Sequence, residues 1–206
     1  EAIRLNPLAA DAFNNRRNVY QKKGESDPAL EDYDEAIRLS PTYAHALNNR
    51  GTIFLDRRED ARAAADFDRA IEASPGYATA FHNRGIAFSN QGQFDRAIAD
   101  YDEAIRLNPE YAAAYNGRGY ARLSRGELDL ALPDFERSIA LDPDSPPVLV
   151  NLGVVHFTQG DYARAVTAFD RALAIDPAYP HALFSRGIAR IKSGDSSGAA
   201  DVEYAS

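Results

Sequence analysis

The sequence predicts an all-α fold built from tandem helix-turn-helix units. Prolines recur at a fixed spacing of 34 residues along the 206-residue chain, and a constant period of about 20 to 50 residues is typical of repeat architectures. A short polar residue precedes each of these prolines and a small residue stands five places upstream, so several columns share the period. The prolines are Pro7, Pro41, Pro75, Pro109, Pro143 and Pro177.

Repeat boundaries follow if each unit is taken to begin three residues after a proline. The predicted organisation is a single array, 1–206, with the end of a preceding repeat in 1–9 and a partial repeat in 180–206. The full frames between them are 10–43, 44–77, 78–111, 112–145 and 146–179. Because residue 1 falls inside a repeat and the last repeat is incomplete, we expect the chain to be a piece of a longer polypeptide.

Two helices are predicted in each frame. In the frame 78–111, apolar residues recur at steps of three and four around Phe81 and Phe88, stop at Gly92 and resume from Ala97. The glycine falls where the first helix must end and predicts a left-handed residue that caps it. Each unit is therefore expected to be helix, tight turn, helix.

Three positions depart from this pattern. Arg58 replaces the capping glycine of its frame, which predicts either a left-handed arginine at a cost of about 1 kcal/mol or a reshaped turn. Pro133 lies deep in a second helix and predicts an irregularity there. The last frame is one residue short before Asp201, so we expect its second helix to be shifted or frayed.

The columns resemble the tetratricopeptide repeat. Small residues at the eighth place, aromatic residues at the eleventh and twenty-fourth and alanine at the twentieth carry the resemblance. It implies a right-handed α-α superhelix in which the first helix of each pair lines a concave face. The eighth-place glycines are Gly51, Gly85, Gly119, Gly153 and Gly187, and the aromatics of the second helices are Tyr33, Phe67, Tyr101, Phe135 and Phe169.

Composition argues against several classes of function. The chain has 23 basic and 31 acidic residues and a net charge of −8, whereas nucleic-acid binding depends on basic residues that neutralise phosphates. Cysteine is absent from the sequence, which removes disulfides and thiolate metal sites but leaves the compartment open. No apolar run approaches the roughly 18 residues of a membrane span.

Catalytic motifs are missing from the sequence. It contains no phosphate-binding glycine loop, no nucleophile elbow and no histidine pair with metal-ligand spacing. We therefore expect a non-enzymatic chain with no cofactor and no metal ion.

Arginine at the seventh place and aspartate just before the second-helix aromatic recur together. Both are missing from the same frame, 146–179, where Leu152 and Ala168 stand instead. This coincidence predicts ion pairs between the two helices of a repeat; a row of anion-binding arginines is the alternative. The predicted pairs are Arg16 with Asp32, Arg50 with Asp66, Arg84 with Asp100, and Arg118 with Asp134.

Side-chain amides follow one face of the predicted first helices. An asparagine offers two donors and an acceptor, so a row of them can hold the main chain of an extended peptide, similar to the asparagine ladder of the O-linked N-acetylglucosamine transferases. Alternatively, the amides tie adjacent first helices together or solvate a polar face. The predicted polar groove residues are Asn14, Asn15, Asn18, His45, Asn48, Asn49, His82, Asn83, Asn116, Tyr120 and Asn151.

The same face becomes apolar in the last frames. A ligand could be bound by its main chain at one end and anchored by apolar side chains at the other, or a further helix or second copy could cover the apolar end. The family's clamp for chaperone C-terminal carboxylates is not matched, because Thr79 and Asn83 stand where it needs lysine and arginine. The predicted apolar groove residues are Val150, Val154, Phe157, Phe184 and Ile188.

These observations predict a protein-interaction scaffold that binds an extended peptide or partner segment in its groove. A first alternative is the substrate-recruiting arm of a larger enzyme, for example a glycosyltransferase. A second is a structural module that forms homo-oligomers through its exposed repeat ends. The expected partner is a protein or peptide and not a nucleic acid, and no membrane span is expected.

Overall fold

A computed structural model of the protein describes residues 27–204, which form eleven α-helices and no β-strand. The predicted fold class, an all-α solenoid of tandem helix pairs, is confirmed. The helices are α1 (Asp27–Leu39), α2 (Ala44–Asp56), α3 (Asp60–Ala73), α4 (Ala78–Asn90), α5 (Phe94–Leu107), α6 (Ala112–Ser124), α7 (Leu128–Leu141), α8 (Pro146–Thr158), α9 (Tyr162–Ile175), α10 (Pro180–Lys192) and α11 (Gly198–Tyr204).

The chain divides into two compact units, Glu1–Asn108 and Pro109–Ser206. The first contains α1 to α5, and the second contains α6 to α11. Within each unit every helix packs on the next one along the chain, and the first helices of neighbouring repeats also touch. Packing between sequence neighbours is the arrangement that a repeat solenoid requires.

The first helix of each predicted repeat begins at the first residue of its frame from residue 44 onward. Proline at the start of α8 and α10 suits that position, because the first turn of a helix needs no donor from its backbone nitrogen. Within the described residues, the periodic prolines, such as Pro75, lie in the turns that follow the second helices. These prolines end each repeat because they cannot continue a helix.

Glycine at the eighth place lets an aromatic ring of the second helix lie directly against the first helix. A Cβ atom added to Gly85 would stand 2.8 Å from a ring carbon of Tyr101, well inside the optimal carbon contact of about 3.5 to 4.0 Å. Tyr101 is 2% exposed as a result. The same close approach joins Gly51 to Phe67, Gly119 to Phe135, and Gly153 to Phe169.

A Schellman motif ends each first helix from α2 onward. In α4, the amide of Gly92 donates to the carbonyl of Ser89, and the amide of Gln93 donates to the carbonyl of Phe88. Gly92 has φ = 72°, a conformation that glycine adopts without the steric cost paid by other residues. The predicted left-handed cap is present at Gly92, Gly126, Gly160 and Gly194.

The three exceptional positions have different outcomes. Arg58 keeps the left-handed conformation, with φ = 61°, so its turn is not reshaped. The helix α7 continues through Pro133, which lacks the backbone donor for the usual intrahelical bond at that point. In the last repeat the turn after Gly194 is lengthened and α11 begins only at Gly198, which agrees with the predicted shift.

Replacing Arg58 with glycine should stabilise the protein. The substitution removes the steric cost of a left-handed arginine, and we expect a gain of up to about 1 kcal/mol in the free energy of unfolding, seen as a higher melting temperature. The reciprocal change Gly126→Arg, at the same place of another repeat, should lose a similar amount. An unchanged melting temperature in both variants would contradict this account of the turn.

Replacing Gly85 with alanine should destabilise the protein because the new methyl group meets the Tyr101 ring. Overpacking of this kind costs about 1 to 3 kcal/mol, partly offset by the better helix propensity of alanine. The control is Gly76→Ala, since no atom lies within 4 Å of a Cβ placed there. Urea unfolding should separate the two variants, and equal midpoints would refute the close-packing explanation.

Candidate functional site

The seventh-place arginine joins the two helices of its own repeat and reaches back to the preceding repeat. Arg84 donates from Nε and Nη2 to the two carboxylate oxygens of Asp100, at 2.9 and 2.6 Å, and from Nη1 to Asp68 at 2.7 Å. A planar guanidinium matches such a bidentate contact and retains a third nitrogen for another acceptor. Equivalent bridges are Asp66–Arg50–Asp34 and Asp201–Arg186–Asp170.

In the second unit, Arg118 also forms a bidentate contact with its predicted partner Asp134. Arg122 adds a further bond to the same carboxylate at 2.8 Å. Of the remaining predicted pair, Arg16 lies outside the described residues, while Asp32 lies on α1. Each described predicted pair thus links a first helix to the second helix of the same repeat.

Two parts of these bridges were missed in the sequence. The second aspartate, such as Asp68, directly follows the aromatic residue of the second helix, whereas Asp66 directly precedes it. The sequence signal is therefore an aspartate on each side of the aromatic residue. Arginine at the eleventh place is the other part, since Arg122 and Arg190 reach the carboxylate of their own repeat. Both arginines stand where other frames have an aromatic residue.

Burial and charge act against each other in these bridges. Burial raises the pKa of the Asp100 carboxyl, although the hydrogen bonds and charge of Arg84 oppose the rise. The more exposed Asp201 has a lowered pKa because the hydrogen bond from Arg186 outweighs its burial. The hydrogen bonds to Asp100 raise the pKa of Arg84, which keeps its charge at every working pH. With Nε, Nη1 and Nη2 of Arg84 all engaged within the protein, this geometry is that of a structural bridge.

The repeat without the ion pair has apolar packing in its place. Leu152 and Ala168 are both buried and belong to one cluster with Phe135, Val148 and Val155. Well-packed apolar residues can substitute for a buried ion pair without loss of stability. The two exceptions in the sequence therefore occupy the same part of the core.

The bridge predicts a non-additive pair of substitutions. Arg84→Ala leaves Asp100 buried without its counter-charge and should cost about 3 to 5 kcal/mol. The double change Arg84→Leu with Asp100→Ala, which copies the 146–179 repeat, should cost less than the single change. Chemical unfolding measures both losses.

The matched control is Arg106→Ala, because Arg106 pairs with Glu103 on an exposed helix surface. Exposed pairs contribute at most about 1 kcal/mol, so this variant should unfold nearly like the wild type. Equal losses of unfolding free energy in the single and double variants would show that burial of Asp100 does not depend on its ion pair with Arg84.

The asparagines of the first helices bond to one another. Asn83 donates from Nδ2 to Oδ1 of Asn48 at 3.0 Å, and Asn48 donates in turn to Oδ1 of Asn49 at 3.3 Å. Asn151 likewise donates to Oδ1 of Asn116 at 3.0 Å. The Asn83–Asn48 and Asn151–Asn116 bonds join first helices of adjacent repeats, as the alternative to a peptide ladder predicts, whereas the Asn48–Asn49 bond lies within α2.

Burial limits what some of these amides can offer a ligand. Asn48 and Asn49 are only 5% and 8% exposed, so neither presents an open amide on the surface, contrary to the sequence prediction of exposed groove residues. Asn83, Asn116 and Asn151 are half-buried. The predicted residues Asn14, Asn15 and Asn18 lie outside the described part of the chain.

A 35-residue spacing in the sequence indicates these ties. Each sixth-place asparagine from Asn49 onward has an asparagine 35 residues before it, as Asn83 has Asn48 and Asn151 has Asn116. Where the sixth place is not an asparagine, the residue 35 places before it is not an asparagine either. His82 stands 35 residues before Gly117, and Val150 stands 35 residues before Ser185. The period of 34 residues hid this pairing, because it is offset by one residue.

The remaining polar groove residues occupy different surroundings. His45 is exposed, and its ring lies 5.0 Å from that of Tyr77. His82 lies 3.3 Å from Oδ1 of Asn83 and is half-buried. Tyr120 is exposed on α6. Each of these side chains lies on the first helix of its own repeat.

The apolar residues of α8 and α10 do converge. They surround an open pocket of about 190 Å³ in the second unit. Val154 and Phe157 are three residues apart on α8, and Phe184 and Ile188 are four apart on α10, so each pair shares one face of its helix. Phe169 of α9 also contributes to the lining, with Ser185 as the polar group. Phe184 is 51% exposed, whereas the predicted groove residue Val150 is buried in the core.

Metal-binding groups and membrane-spanning helices are both missing from residues 27–204. No group of histidine, aspartate or glutamate side chains in this range could hold a metal ion. No helix within the same range is both long enough and apolar enough to pass through a membrane.

Comparison of the sequence with family models gives the family. A model described as tetratricopeptide repeat matches residues 18–78 and 82–146, and a second model of the same description matches 146–179. The chain belongs to the tetratricopeptide repeat family. Tetratricopeptide repeat proteins are interaction scaffolds that bind protein or peptide partners, so this chain has the fold of a protein-interaction module.

Solved tetratricopeptide repeat structures superpose on most of the chain. PilW, a widely conserved type IV pilus biogenesis factor, has a TM-score of 0.84 at 20% identity, over 97% of this chain and 91% of PilW. PilF of Pseudomonas aeruginosa has a TM-score of 0.80 at 21% identity, over 96% of this chain and 89% of that protein.

YrrB, a tetratricopeptide repeat protein with an unusual peptide-binding site, has a TM-score of 0.66 at 21% identity, over 85% of this chain and 91% of YrrB. Likeness at these identities shows the fold alone. No curated protein matches the sequence.

Proposed function

We propose that this tetratricopeptide repeat chain binds an extended segment of a partner protein across the first helices of its second unit. The observation that carries the proposal is the open apolar pocket between α8 and α10, with the half-exposed ring of Phe184 at its edge. Apolar concave sites with a few polar groups are the usual binding sites of proteins. The peptide-binding site of YrrB agrees with such a role for the fold.

The apolar anchor supplies more affinity than the amides. Burying a large apolar side chain gains about 1.5 to 3 kcal/mol, whereas one net hydrogen bond gains about 0.5 to 1.5 kcal/mol. The apolar anchor therefore contributes more binding free energy than a single amide, whereas the sequence-based hypothesis gave the main role to the asparagine ladder.

The amides remain useful to a peptide main chain. Asn151 stands one turn before Val154 on α8, so its amide and the pocket share a helix face. An asparagine has two donors and one acceptor atom with two lone pairs, so Asn116 and Asn151 retain hydrogen-bonding capacity beyond the bond that they share. A segment that enters the pocket would meet this pair on its way to α6.

Capture of partners from an extract of the source organism tests the proposal. The variant Phe184→Ser removes the ring at the pocket, and we expect it to lose the partner that the wild type retains. Since Phe184 is half-exposed, the fold should persist, and circular dichroism and the melting temperature should show it.

The matched control is Leu130→Ser. Leu130 is also 51% exposed but lies on the second helix α7, away from the pocket lining. The control should retain the partner. A partner that binds the Phe184→Ser and wild-type proteins equally would place the interaction elsewhere on the chain and refute the proposal.

A further inference from the structure

The chemistry of the bound segment can be inferred from the same pocket. We infer, on the basis of the proposed function, that the segment is uncharged and inserts an aromatic side chain between α8 and α10.

The pocket has the size of a phenyl group. Its volume is about 190 Å³, somewhat larger than an apolar cavity of about 150 Å³ that admits benzene. Val154, Ile188 and the rings of Phe157, Phe169 and Phe184 form an apolar wall with Ser185 as its polar group.

The aromatic wall favours an aromatic guest. The Phe157 ring already lies tilted against the Tyr162 ring, with centroids 5.3 Å apart, and tilted or offset ring pairs contribute about 0.5 to 1.5 kcal/mol beyond area burial. Phe157 and Phe184 can both offer such contacts to an entering ring. A small or polar side chain would not form these ring contacts with Phe157 and Phe184.

The face around the pocket carries no counter-charge for an ionic ligand. We define the face as the second, fifth, sixth, ninth and twelfth places of α6, α8 and α10. Aspartate, glutamate, lysine and arginine are absent from these places, although charged residues form 26% of the chain.

Two basic residues stand at the ends of α10. His181, at the second place of its frame, is exposed beside Tyr179, and Lys192 stands just beyond the twelfth place. A charged ligand residue inserted into the pocket would lose hydration without gaining a charged partner from the lining, which is strongly unfavourable. The face therefore selects against charged segments, and its binding should depend little on salt.

The spacing of the helices sets the register of the segment. Packed helices lie about 8 to 10 Å apart, and an extended chain advances about 3.3 Å per residue. The amide pair Asn116–Asn151 joins α6 to α8, and the pocket joins α8 to α10, so roughly three ligand residues separate the two. A segment of about seven residues spans all three helices.

A displayed library of random heptapeptides tests the inference. Selection on the wild-type chain should enrich uncharged peptides that contain one phenylalanine, tyrosine or tryptophan. The enrichment should disappear on Phe184→Ser and persist on Leu130→Ser. In a synthetic copy of the most enriched peptide, replacement of the aromatic residue by alanine should weaken binding about tenfold or more, while a rise from 50 to about 500 mM NaCl should change it less than about twofold.

The outcomes separate the inference from the proposed function. Enriched peptides that are charged, or that bind Phe184→Ser as well as the wild type, would overturn the inference and leave peptide binding standing. Selection of no peptide at all would overturn both. A wild type that sediments as a dimer while Phe184→Ser sediments as a monomer would show that a second copy fills the pocket, which also overturns the inference.

Discussion

The contact between a glycine of the first helix and an aromatic ring of the second determines how each full repeat from residue 44 onward is built. No side chain fits between Gly85 and the ring of Tyr101, so the two helices approach until ring and backbone touch. That approach fixes which faces of the helices point inward. The positions of the arginine bridge, the capping turn and the exposed face of the first helix all follow from it.

Polar side chains connect neighbouring repeats through arginine bridges and amide pairs. The guanidinium of Arg84 joins Asp100 of its own repeat to Asp68 of the one before, and amide pairs such as Asn48 and Asn83 join neighbouring first helices. Because the charged groups are used beside the second helices, the first-helix face of the second unit contains amides and apolar side chains. Because this face offers apolar side chains and amides, we propose that an apolar anchor is the main source of affinity.

The fold could be predicted almost completely from the sequence, whereas the site could be predicted only in part. The 34-residue period placed the start of each first helix from residue 44 onward. This was possible because glycine and proline act through local backbone geometry, which the identity of a single residue determines. The sequence suggested amide ties only as an alternative and did not assign their partners, because the partners lie 35 residues apart, as Asn116 and Asn151 do. The burial of Asn48 and the convergence of Val154 with Ile188 depend on how separate helices pack, which no single repeat reveals.

The most direct measurement of the central claim is methyl nuclear magnetic resonance of the valine- and isoleucine-labelled protein with its bound partner segment. Val154 and Ile188 line the proposed pocket, while Ile175 is exposed at the end of the second helix α9. The account predicts that the methyl signals of Val154 and Ile188 shift on binding and that those of Ile175 do not. Shifts at Ile175 with unchanged signals at Val154 and Ile188 would contradict it.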